Sequence, residues 1–207
     1  MEVDEIFQIL KYDTTTISSG FIVYNQLFDS QETVDILNAC GSNVFVTYQN
    51  NFLDSCILFI YRMTDSGSTG HNDNLALTSL ISKLPTGSDD LKKRMNEKIS
   101  SINRTIRKVR SKKIAHCDAH VRSGKSVLEP VSFLDIKDGL DAIAETLNMY
   151  EYYMNKSSTM YSATILPLGS DGSYLLNRLK KSEAYVAIER SGGCEINMWK
   201  DAFSTSE

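Results

Sequence analysis

The apolar positions of the chain recur at the three- and four-residue steps of a helix and seldom alternate as a strand requires, so the pattern predicts an all-α fold. Over 30–64, Phe45, Phe52, Leu53, Cys56, Ile57, Ile60 and Met63 mark one long helix or two abutting ones, with Gly41 as the candidate break. The run DSGSTGHNDN over 65–74 reads as a loop, because Gly, Ser, Asp and Asn favour turns. Asp73 or Asn74 is placed to cap a short helix through Leu77, Leu80 and Ile81 that Pro85 ends. Ser88, Asp89 and Asp90 then supply the cap and first-turn acids of a helix with the stripe Leu91, Met95, Ile99, Ile102, Ile106 and Val109. Residues 117–130 contain Gly124 and Pro130 and lack a period, which predicts an exposed connection.

The clearest helical signal follows, in Ile136, Leu140, Ile143, Leu147, Tyr150 and Met154, whose alternating steps of four and three are those of a bundle seam. Past Lys156, the turn Gly169-Ser170-Asp171-Gly172 leads into a last helix with Leu175, Leu176 and Leu179. From Arg190 the pattern fades, although Ile196, Met198, Trp199 and Phe203 could dock locally. Helices joined by short loops predict an up-and-down bundle. The expected organisation is one helical domain over 1–189 and a tail over 190–207.

Composition narrows the class without changing it. With 207 residues, 42% apolar and 23% charged, the chain can bury one proper core and is neither fibrous nor disordered as a whole. The longest strongly apolar run, Cys56 to Tyr61, is too short to cross a bilayer, and the opening MEVDE puts no basic region before a hydrophobic stretch. A cytoplasmic protein without membrane contact is expected. Cys40, Cys56, Cys117 and Cys194 form no C-x-x-C pair, which suits reduced thiols.

Charge singles out one segment. The net charge is −4, yet Lys92–Lys113 holds ten of the 22 basic residues and one acid, Glu97, so that it carries +9 and the remainder −13. Such a stripe can hold phosphates locally; it can equally be a solvated helix face. It ends in Arg110-Ser111-Lys112-Lys113-Ile114-Ala115-His116-Cys117-Asp118, which brings a guanidinium and an imidazole to one end of the basic helix.

This segment resembles the signature of the HEPN superfamily, an Arg followed after four to six residues by His. More narrowly, Arg110, Lys112, Ile114, Ala115, His116 and Asp118 are similar to the R-x-K-x-I-A-H-x-D run of the abortive-infection AbiU-type branch. Leu53-Asp54 through Arg62-Met63-Thr64-Asp65, and Gly169-x-Asp171 followed by Leu175, Leu176 and Leu179, extend the likeness from about residue 50 to residue 180.

The resemblance implies an all-helical bundle that pairs as a homodimer, with both copies of Arg110 and His116 lining a groove between protomers. It further implies a metal-independent endoribonuclease of phage defence or of a toxin–antitoxin-like system, with RNA as substrate, an antitoxin or regulatory protein as a further partner, and no cofactor. In that chemistry a 2′-hydroxyl attacks the neighbouring phosphate, the His116 imidazole moves protons, and the Arg110 guanidinium stabilises charge on the phosphoryl oxygens. Arg107, Ser111, Lys112 and Lys113 are the candidate contacts to the RNA backbone. Two acids would support the site. Asp54 lies in an otherwise apolar helix and calls for a cationic partner, with Arg110 or another helix-end arginine as candidates. Asp118 stands where HEPN proteins paired with a nucleotidyltransferase carry a modified Tyr, so no such partner is implied.

Other readings stay open. Residues six apart are separated by about 240° around an ideal helix and about 9 Å along it, so Arg110 and His116 of one chain converge only if the helix loosens near Lys113 or if the two belong to different protomers. His116 also lies seven residues after Val109, as a packed interior histidine would, with Arg110 then closing a helix end. Ser111 follows the Arg where active HEPN nucleases often carry Asn, Asp or His. A non-catalytic HEPN module that binds RNA or a partner protein is the alternative function, and a plain structural helical domain a third. His116 and His120 are four apart, but the Glu of a zinc-protease helix and a third ligand are missing, so no metal site is expected. His71 reads as a solvated loop residue. Asp54, Arg62 and Asp65 also read as a structural ion-pair set that orients helices. Tyr150, Tyr152 and Tyr153 could stack bases or serve as core or dimer contacts.

Overall fold

A computed structural model describes residues 1–69, 72–102, 104–115 and 118–191. The expectations for His71, His116, Cys117, Cys194 and the docking residues Ile196, Met198, Trp199 and Phe203 lie outside the described residues. The elements are α1 (Val3–Phe28), α2 (Gln31–Met63), β1 (Ser68–Thr69), β2 (Asn72–Asp73), α3 (Leu77–Ser82), α4 (Asp89–Ser100) and α5 (Arg104–Val109). A π-helical stretch (Arg110–Ala115), α6 (Ala119–Arg122), α7 (Phe133–Asn155), a 3₁₀ turn (Tyr161–Ala163) and α8 (Gly172–Arg190) follow. The fold is all-α, with one antiparallel pair of two-residue strands, Ser68 opposite Asp73 and Thr69 opposite Asn72, inside the segment expected to be a loop.

The described residues divide into two compact units, one within 1–21 and 49–165, the other within 22–48 and 166–191. In the first, α1 carries Ile6, Phe7, Leu10 and Phe21 into the core. No element was predicted there from the pattern. Its middle, Asp13-Thr14-Thr15-Thr16, has low helix propensity, and the chain holds the helix there by turning hydroxyls onto carbonyls four residues back. Thr14 Oγ1 donates to Leu10 O (2.7 Å), Thr15 Oγ1 to Lys11 O (2.9 Å) and Thr16 Oγ1 to Tyr12 O (3.0 Å).

Pairwise contacts give the first unit its topology. Phe7 packs on Tyr150 and Phe21 stacks on Phe133, so α1 and α7 run antiparallel. Gly20 lies against the Phe52 ring and Asp13 pairs with Arg62, so α1 and the later part of α2 do too. Lys98 pairs with Glu145, while Ile102 and Gly139 line one surface cavity and Arg94 and Met149 another, an order that sets α4 antiparallel to α7. The result is the up-down-up-down arrangement of a four-helix bundle. Gly139 on α7 lets Ile60 of α2 approach, since a Cβ there would lie 2.8 Å from Ile60 Cδ1.

The α7 seam is buried as expected from Ile136 through Tyr150, and a capping box between Ser132 and Asp135 starts the helix; Met154, at its far end, is exposed. The stripe Leu91 to Val109 is wholly buried, but not by one helix. Tight i→i+3 bonds from Ser101 N to Lys98 O and from Ile102 N to Ile99 O end α4, and α5 starts at Arg104. The expected cap at Asp73 or Asn74 is also corrected. Ala76 precedes α3 without a side-chain cap, while the Asn74 amide donates to Ser66 O and its carbonyl accepts from Ser79 Oγ, closing the loop on itself.

In the second unit Leu27, Leu37 and Leu176 form a small core with Phe28, Phe45, Tyr48 and Leu179 around it. Helical geometry breaks at Gly41, the candidate position. Asp171 caps α8 by accepting from Tyr174 N, and Gln26 Oε1 accepts the Gly172 N–H (2.8 Å). Leu176 of the expected α8 stripe is buried; Leu175 is exposed.

Candidate functional site

The basic segment meets the C-terminal half of α2 in an antiparallel register. Thr64 O accepts from Arg107 Nη2 (3.3 Å), the Tyr61 ring lies under the Arg110 guanidinium (4.0 Å to its centre), and Asp54 Oδ1 faces Lys113 Nζ (3.9 Å). Positions three apart are neighbours on a helix face, so Tyr61 with Thr64 and Arg107 with Arg110 form two matched rungs. The burial of Ile106 and Val109 holds α5 down, and Ile114 packs on the same core.

Arg110 is one of the described residues whose polar atoms are not all satisfied. Its Nε is buried without a hydrogen-bond partner, and it forms no ion pair among the described residues. An unmet buried donor costs about 1–3 kcal/mol, and a stacked guanidinium over an aromatic face returns about 0.5–2 kcal/mol. Asp54 and Asp65 are engaged by other groups. Asp54 is not the buried partner of an arginine that the sequence suggested. Its side chain is 38% exposed and faces Lys113, itself 61% exposed, a pair too solvated to stabilise the fold much. Asp65 accepts from Ser66 N, and Arg62 reaches Asp13 on α1 (2.7 Å).

The helix changes character at Arg110. From there to Ala115 the backbone is π-helical, an arrangement that recurs at functional sites. Asp118 N donates to Lys112 O (2.8 Å), which closes the widened segment. The Asp118 carboxylate caps α6, accepting from His120 N (2.9 Å) and Val121 N (3.3 Å); these two bonds hold its pKa below the usual carboxylate value. Its support is therefore to the exit of the segment. Lys112 and Lys113 are exposed and Ser111 half-buried, whereas Arg107 spends one N–H on the end of α2.

A family model described as AbiU2, of the HEPN type, matches residues 2–174. The chain belongs to the AbiU2 family of HEPN proteins. No curated protein and no solved structure matches it. The match takes in α1, the basic segment and the first residues of α8, so it includes the helix that the sequence pattern left unread. It makes this an abortive-infection-type HEPN protein and accounts for the all-α bundle.

Other features of this AbiU2-family protein bear on the site. Tyr150 is buried against Phe7, while Tyr152 and Tyr153 are exposed. Among the described residues, no three His, Cys, Asp or Glu side chains are grouped to hold a metal ion, and no helix is long and apolar enough to cross a membrane. Cys40 and Cys56 are free thiols, and burial pushes the Cys56 thiol up to about 12. The sequence pointed to Arg110 but not to Tyr61, whose position on α2 seven residues after Asp54 was the available signal.

Proposed function

We propose that this AbiU2-family protein is a metal-independent endoribonuclease of abortive infection, active as a homodimer on RNA. The observation that supports it most is Arg110, a guanidinium left without a carboxylate among the described residues, at the start of a π-helical segment that also carries exposed Lys112 and Lys113. A cation with no internal counter-ion suits an external anion, and a planar fork suits a phosphate.

In the proposed reaction the 2′-hydroxyl of one nucleotide attacks the adjacent phosphorus. The oxygen–phosphorus bond to the next nucleotide breaks, leaving a 2′,3′-cyclic phosphate and a 5′-hydroxyl. His116 takes the hydroxyl proton and returns a proton to the leaving oxygen, and Arg110 stabilises the phosphoryl oxygens as their charge rises. Ser111, Lys112 and Lys113 hold the strand, and Arg107 fixes the register of α5 on α2. An antitoxin or other regulatory protein would restrain the activity.

The test is single-stranded RNA and its fully 2′-deoxy counterpart incubated with the protein in excess EDTA, with the products weighed by mass spectrometry. Fragments ending in a 2′,3′-cyclic phosphate from the RNA alone are expected. Equal cutting of the deoxy strand would refute the mechanism. Ser111, where active HEPN nucleases often carry Asn, Asp or His, favours a second reading in which the module binds RNA or a protein without cutting. RNA that is bound tightly but stays intact would select it.

A further inference from the structure

We propose that Tyr61 is the positioning residue for Arg110, a role that rests on the ribonuclease reading above. The Arg110 guanidinium carbon sits 4.0 Å from the centre of the Tyr61 ring, the separation of a stacked cation–π contact. Stacking uses the face of the guanidinium and leaves its N–H edge for an anion, so the ring holds the side chain without neutralising it. An ion pair would hold Arg110 equally well and would blunt its charge. Asp54, Asp65 and Asp118 are each engaged by other groups, at Lys113, at the Ser66 N–H and at the N-terminus of α6.

The ring is itself held. Arg107, one turn before Arg110, bonds the carbonyl of Thr64, one turn after Tyr61, which pins the end of α2 to α5 beside the stack. The π-helical segment starts at Arg110, so the stack lies where the backbone leaves α-helical geometry and the side chain most needs an external support. An arginine that acts on a developing charge must be in place before the charge appears, because misplacement of about 1 Å can cost a hundredfold in rate. Tyr61 supplies that placement through its ring, and the phenol oxygen takes no part.

The experiment compares single-turnover RNA cleavage by wild type, Tyr61→Phe, Tyr61→Leu, Arg110→Ala and the double variant Tyr61→Leu/Arg110→Ala, each checked for folding by circular dichroism. Tyr61→Phe keeps the ring and should cleave within about 2-fold of wild type. Tyr61→Leu should lower the maximal rate about 10- to 100-fold with half-saturation nearly unchanged, and should add nothing when Arg110 is already alanine. Equal losses in Phe and Leu, or a Leu loss that multiplies fully with Arg110→Ala, would overturn the proposal. The Arg110 Nε–H resonance separates positioning from cleavage. It should be displaced by the ring current in wild type and Tyr61→Phe, and return to the ordinary arginine position in Tyr61→Leu. A wild-type protein that cuts no RNA yet shows this displacement overturns the ribonuclease reading and keeps the positioning; one that cuts but shows no displacement overturns the positioning alone.

Discussion

Glu151→Gln tests a buried charge of the bundle. The Glu151 carboxylate on α7 accepts from Lys11 Nζ (2.6 Å) on α1, from Thr159 Oγ1 (2.8 Å) and, at longer range, from Ser157 Oγ (3.4 Å), so one side chain ties α1 and the connection after α7 together. Its side chain is 8% exposed, against 27% for Lys11. Burial alone would raise this carboxyl; the Lys11 and Thr159 hydrogen bonds and the lysine charge outweigh it and leave the pKa below the ordinary glutamate value. A hydrogen bond to a charged group contributes about 1.5–3 kcal/mol. The amide keeps the shape and can still accept from Thr159, and Lys11 retains water, so the loss expected at pH 7 is about 2 kcal/mol. The sign with pH follows from the lowered pKa. The wild-type advantage is complete above the unfolded-state value of about 4.3 and disappears as pH falls through the folded-state value, because both states then bind the proton. Urea-unfolding midpoints of the two proteins from pH 7 to pH 3.5 should stay apart by a constant amount down to about pH 5 and converge below about pH 4. A gap that widens in acid, or one under about 0.5 kcal/mol at pH 7, would refute this account of the carboxylate.

Gly172→Ala should destabilise the second unit by about 1–3 kcal/mol in the same urea assay, since its Cβ would lie 2.9 Å from the Val23 carbonyl, which is backbone and cannot swing away. Asp118→Ala should remove amide-exchange protection at His120 and Val121, whose N–H groups it accepts, without altering protection on α7. Charge reversal at Lys112 and Lys113 together should weaken RNA binding and flatten its salt dependence by about 0.7 in log–log slope for each phosphate no longer neutralised; unchanged affinity would show that they are only a solvated face. Light scattering should give twice the 23.2 kDa chain mass at micromolar concentration, and a monomer throughout would remove the shared groove.

What the sequence disclosed depended on how far local pattern and packing agree. The α7 seam was legible because its steps of four and three match the buried face, and a capping box marks its start. The Leu91–Val109 stripe was legible as a face and illegible as an element, since the short turn at 101–102 keeps the apolar side inward while ending α4. By contrast no element was read over α1, although Ile6, Phe7, Leu10 and Phe21 are spaced as a helix; its three threonines in a row have low helix propensity and turn their hydroxyls onto the helix's own carbonyls. At the site, Arg110 and the basic stripe were visible. The π-helical turn, the Tyr61 stack and the pairing of Asp54 with Lys113 depend on the register between α2 and α5, which no single segment encodes.

The central claim is that an Arg110–His116 pair cuts RNA without a metal. Its most direct test is the first-order cleavage rate of His116→Ala and Arg110→Ala against wild type, in EDTA, with folding and oligomeric mass verified for each. The wild type should yield cyclic-phosphate products, and removal of the proton-transfer group should cost on the order of 10²–10⁴-fold in rate, with a comparable loss for Arg110→Ala. Cleavage that persists in His116→Ala, or wild-type cleavage that stops on chelation, would contradict it.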